Sequence, residues 1–91
     1  MNAIYKKTSE WSDYAIYPSA GGGLRCVYHA RVSGGQTGRE MIVSAAALAT
    51  AGVDPTALDE PRNGWMEQGE YVAEKLAWEV GRVWRRGIQV Q

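Results

Sequence analysis

Residues 24–32 read LRCVYHARV, with the glycine cluster AGGG just before them and SGGQTG just after. Side chains of a strand point alternately to its two faces. Leu24, Cys26, Tyr28, Ala30 and Val32 therefore share one face, and Arg25, Val27, His29 and Arg31 share the other. The first set is expected to face the core. A strand closed off by turn residues at both ends pairs antiparallel with chain near it in sequence. Tyr- and Ile-containing stretches at 3–8 and 14–18, separated by the polar SEWSD, predict a first hairpin, and REMIV at 39–43 predicts a strand returning onto 24–32. Phosphate-cradling glycine loops lead from a strand into a helix N-terminus, whereas AGGG leads into a strand, so these glycines are read as turns. The looser SGGQTG is expected to be a loop able to shape itself to a partner.

From Ser44 the texture changes. SAAALATAG joins a capping serine, strong helix formers and a terminating Gly52, which predicts a short helix. Asp54-Pro55 repeats the start signal, so TALDE is expected to make one helical turn ended near Pro61. Residues 66–86 are predicted as one long helix ended by Gly87, with IQVQ adding an edge strand. At about 100° per residue, Gly69, Val72, Leu76, Val80 and Val83 fall on one stripe, with Ala73 and Trp84 at its border. The expectation is one α+β domain over residues 1–91 in two layers. An antiparallel sheet of three to five short strands packs its Leu24/Cys26/Tyr28 face on the long-helix stripe, with one short helix beside it.

Ninety-one residues allow only a modest core, about 60–65% of the unfolded chain's surface. Four Trp and five Tyr, with no Phe, must therefore supply much of the buried area. One cysteine, Cys26, excludes an internal disulfide and a cysteine-based zinc site. MNAIYKK lacks the apolar run of a signal peptide, and no run approaches the ~18 apolar residues of a membrane span. A cytoplasmic protein without membrane association is the expectation.

No catalytic constellation emerges. His29, the only histidine, lies on the polar face of its strand without a partner at a recognisable spacing, so a structural or surface role is expected. Cys26 falls on the apolar face and is expected to be inert. Asp59-Glu60 and the Glu67, Glu70, Glu74 series read as solvated residues rather than metal ligands. The chain is expected to be no enzyme and to carry no cofactor and no metal.

Net charge is zero but unevenly spread: residues 54–79 hold seven acids against two bases, and residues 1–53 five bases against three acids. ALATAGVDPTAL, within residues 45–60, resembles the helix-turn-helix of bacterial repressors, which often read A-x-x-A-G-V-S-x-x-T; that likeness implies a DNA-binding alternative. Asp59, Glu60 and Pro61 follow where basic or amide side chains should read bases, and there is no basic excess to hold phosphate, so specific DNA binding is not expected.

Opposite the core stripe fall Glu67, Tyr71, Glu74, Trp78 and Arg85, with Arg82 beside them. Trp, Tyr and Arg dominate binding energy at protein interfaces, so a partner surface is expected on Tyr71, Trp78, Arg82 and Arg85, with Glu67, Glu74, Asp59 and Glu60 as acidic neighbours. Neighbouring chain, the 53–63 loop or the N-terminal strands, would equally cover this face. So would a second copy in a homodimer or a self-associating structural protein. In size, in the order of its elements (glycine-turned strands, SAAALATAG, then the long helix) and in lacking a catalytic constellation, the chain resembles the small phage-encoded anti-CRISPR proteins. The resemblance implies an inhibitor in the host cytosol. It would bind a host protein or ribonucleoprotein, a CRISPR-Cas or other nucleic-acid-processing complex, and block nucleic-acid entry or activation.

Overall fold

Ile16, Cys26 and Met41 lie side by side across three antiparallel strands, and the core is built on that row. The computed structural model describes residues 2–32 and 35–81. Strands β1 (Tyr5–Thr8), β2 (Ser12–Pro18), β3 (Leu24–Val32) and β4 (Gly35–Val43) form one antiparallel sheet in chain order. β3 has the expected bounds and the first hairpin is present. β4 starts earlier than REMIV: Gly35–Gly38 of the expected loop belong to the strand and pair with β3. The first glycine cluster is a turn. Gly21 and Gly22 take φ of 72° and 83°, and a Cβ on Gly23 would stand 2.6 Å from the Val43 carbonyl oxygen, so the turn leading into β3 passes the end of β4 only through glycine.

Helix α1 (Ala45–Thr50) has the expected caps: the Ser44 hydroxyl accepts from the Ala47 N–H at 3.1 Å. At its other end Gly52 takes φ 72°, and the Gly52 and Val53 amides return to the Ala49 and Leu48 carbonyls. That is the Schellman termination, with Leu48 and Val53 both buried. The expected helical turn at 56–60 does not form. The Asp54 carboxylate takes both the Thr56 amide (2.9 Å) and hydroxyl (2.7 Å), and a chain of turns follows that carries Leu58 into the core. The second helix of a helix-turn-helix is therefore absent from residues 51–60.

The long helix starts later than predicted. Met66 and Glu67 are strand β6 (Met66–Glu67), paired with β5 (Pro61–Asn63). The helix starts at Gln68 because the Gln68 and Gly69 amides bond the Glu60 and Leu58 carbonyls. It ends at Val80 because Gly81 turns extended (ψ 146°), where a Cβ would collide with the Ala77 carbonyl and the Met41 side chain. The expected extension to residue 86, with Val83, Trp84, Arg85 and the IQVQ strand, lies outside the described residues.

Between an α turn at Gln68–Tyr71 and another at Ala77–Val80, residues Val72–Leu76 form a π turn in which the Ala77 amide reaches back to Val72. A π turn holds one residue more than an α turn, so everything after it lags by about 100°. Ala77, which straight helical spacing puts off the stripe, is fully buried with Val72, Ala73 and Leu76 against Ile16, Cys26 and Met41. The sheet's outer face departs from a plain solvated face as well. Ala15, Tyr17 and Val27 form a second buried cluster there and His29 is only 7% exposed, while Arg25 lies 4.5 Å over the Tyr17 ring and 2.9 Å from Glu40.

Candidate partner-binding surface

The expected aromatic stripe is divided by the π turn. Tyr71 precedes it and faces β5, where the Arg62 guanidinium lies 3.9 Å over its ring. Arg62 also donates to the Ala51 carbonyl (2.9 Å) and the Gln68 side chain (3.2 Å), so the loop before the helix covers Tyr71. Trp78 follows the π turn and is rotated toward the sheet. Its ring meets Tyr28 edge-on at 5.6 Å, the Arg39 guanidinium lies 4.3 Å over it, and 42% of the residue remains exposed. Asp59 and Glu60 are exposed in the turns before β5. Arg82 and Arg85 lie outside the described residues.

Glu67 and Glu70 are tied to β1. The Tyr5 hydroxyl donates to Glu67 at 2.6 Å, the Lys7 ammonium meets Glu70 at 2.9 Å, and Glu70 accepts the Glu67 amide at 3.2 Å in the capping manner. The bond from Lys7 holds the Glu70 carboxyl below its ordinary value. Burial, followed by the adjoining Glu67 carboxylate, raises the Tyr5 hydroxyl far above its own. Glu74, one turn further on, is exposed and makes no ion pair among the described residues.

Trp65 stands at the tip of the β5–β6 hairpin, held there by the Asn63 side chain accepting its amide at 3.0 Å, and is 89% exposed. A shallow cleft of about 330 Å³ opens beside it, walled by Lys7, Pro61, Met66, Glu67 and Glu70. A smaller notch of about 60 Å³ shares Lys7 and Glu70 with that cleft and adds Ser9, Ser12, Tyr14 and Glu74. The Lys7–Glu70 pair thus stands between the Trp65 hairpin and the β1–β2 turn, whose Trp11 is 72% exposed. The sequence marked Trp11 and Trp65 only as aromatics beside turns. The hairpin that displays Trp65 has strands of three and two residues, too short for any alternation to register.

Among the described residues no three His, Cys, Asp or Glu stand together as a metal would require, and no helix is long and apolar enough to cross a membrane. Burial pushes the Cys26 thiol up to about 12, so the thiol is protonated at neutral pH. No protein-family model, no curated protein and no solved structure matches the chain.

Proposed function

We propose that the chain is a non-catalytic protein-binding module that docks through the Trp65 hairpin and the acidic side of the long helix. The observation that carries this reading is an indole 89% exposed on a hairpin tip, beside a cleft with glutamates in its wall. Burying a tryptophan removes roughly 150–250 Å² from water, and a folded chain with so small a core leaves that gain unused unless something else covers the ring. Asp59, Glu60, Glu67, Glu70 and Glu74 surround the hairpin in sequence and fit a basic partner surface, which accelerates encounter while the indole supplies affinity. The likeness to small phage-encoded inhibitors supplies the partner class: a host nucleic-acid-processing protein or ribonucleoprotein, whose basic nucleic-acid path an acidic surface would occupy.

Affinity capture from a bacterial host lysate, with nucleic acid quantified in the eluate, tests this. A protein retained by wild type and lost with Trp65→Ala, at about thirtyfold lower affinity for a central aromatic worth about 2 kcal/mol, is the expected outcome. Equal retention by a folded Trp65→Ala chain, or recovery of nucleic acid alone, would refute it.

A further inference from the structure

The notch between the β1–β2 turn and the long helix contains a polar atom that the fold leaves unused. Tyr14 is only 4% exposed, and its hydroxyl has no hydrogen-bond partner. The Tyr14 ring stacks on Tyr5 at 6.3 Å, and the Tyr5 hydroxyl gives its proton to Glu67. A buried hydroxyl without a partner costs on the order of 1–3 kcal/mol, so the arrangement gains when something supplies one.

What surrounds that hydroxyl is acidic. Tyr14, Glu70 and Glu74 line the notch together with Ser9, Ser12 and Lys7. Lys7 is engaged by the second oxygen of Glu70, while the Glu74 carboxylate makes no ion pair among the described residues and acts on Lys7 only through its charge. The hydroxyl's pKa lies well above that of a free tyrosine, first from burial and then from the charge of Glu74, which agrees with a negative potential at this point.

We propose that this notch receives a primary ammonium group, the end of a lysine side chain presented by the partner, with the Tyr14 hydroxyl oxygen and the Glu74 carboxylate accepting its N–H donors. The inference rests on the protein-binding reading for the origin of the lysine, not for the existence of the site. An ammonium is a compact point charge with three donors, and a notch of about 60 Å³ holds it with the methylene behind it. A guanidinium spreads five donors over a plane and does not fit so small a space. The same notch joins the Trp65 cleft across the shared Lys7–Glu70 pair, so one bound segment can lay an apolar group by the indole and a lysine here.

The test uses the full chain with no protein partner: n-butylammonium chloride is titrated at constant ionic strength and followed by NMR, with tetramethylammonium chloride as the control of equal charge lacking N–H. Saturable shifts centred on the Tyr14 ring and the Ser12, Glu70 and Glu74 amides are expected with butylammonium alone. Glu74→Gln should weaken the midpoint about tenfold and Tyr14→Phe at least threefold, the latter in a chain that stays folded because it loses an unbonded hydroxyl. Equal, non-saturating shifts from both salts, or a Tyr14→Phe chain that binds butylammonium as tightly as wild type, would overturn the site. Loss of partner capture with a positive titration would instead count against the protein-binding reading alone.

Discussion

Gly69 offers a test in which the sign alone decides. Alanine in place of a helical glycine ordinarily stabilises by about 0.5–1 kcal/mol. Here a Cβ would stand 2.5 Å from the nearest Tyr5 ring carbons, against about 3.5–4.0 Å for carbons in contact, so the ring must retreat by about an ångström. The retreat strains the 2.6 Å bond from Tyr5 to Glu67 and the Tyr5–Tyr14 stack. Overpacking costs about 1–3 kcal/mol, and the bond to a charged acceptor contributes about 1.5–3 kcal/mol when intact. After the propensity gain offsets part of this, Gly69→Ala should destabilise by about 2 kcal/mol, or roughly 10 °C in melting temperature at this size. Urea denaturation followed by circular dichroism measures it. In a Tyr5→Ala background, where the ring is gone, the same substitution should turn neutral or stabilising, and the cycle isolates the contact. A wild-type-background Gly69→Ala chain as stable as its parent, or more so, would refute the packing of β1 on the helix start.

Trp78→Ala should lower stability by about 1–2 kcal/mol, the combined worth of its contacts with Tyr28 and Arg39, and leave the far-ultraviolet spectrum native; an unchanged unfolding midpoint would show those contacts to be idle. Cys26 should react with a thiol reagent only at the rate of global unfolding, because its thiol is buried and protonated; fast labelling of the native chain would contradict that burial. The folded-state value of Glu70 is depressed, so the unfolded chain takes up this proton first as pH falls. The Lys7–Glu70 pair therefore contributes stability above the ordinary glutamate value of 4.5, and that contribution is lost as pH drops below it. Comparing urea midpoints at pH 6 and pH 4 should show a smaller loss for Glu70→Gln than for wild type, with equal losses refuting the assignment.

What was legible in the sequence is what neighbouring residues decide together. The bounds of β3 follow from strict alternation between glycines, and α1 from Ser44 at one end and Gly52 at the other, each a signal acting within a few residues. One local signal can serve two structures: Asp54-Pro55-Thr56 fits a helix start and an Asx turn equally, and the Thr56 hydroxyl bonding back to Asp54 decides for the turn. The π turn was invisible because its cause is distant. Burying Ala73 and Ala77 beside Leu76 against Met41 and Ile16 calls for an extra residue in the helix, and that shift moves Trp78 away from Tyr71. Arg62 over Tyr71, Glu67 bound to Tyr5 sixty-two residues away, and the burial of His29 all depend on which segments meet, which spacing along the chain does not record. Of the expected partner surface, Glu74 and Trp78 both remain exposed, and the more exposed Trp65 stands on a hairpin that the sequence pattern does not mark.

Amide hydrogen exchange of the chain, free and bound to a protein captured in a Trp65-dependent manner, tests the docking surface most directly. Protection is expected to concentrate on residues 61–67 and on the helix around Glu70 and Glu74, with the amides around Arg39 and Trp78 exchanging as in the free chain. Protection confined to the Trp78 and Arg39 corner, with residues 61–67 unchanged on binding, would contradict it.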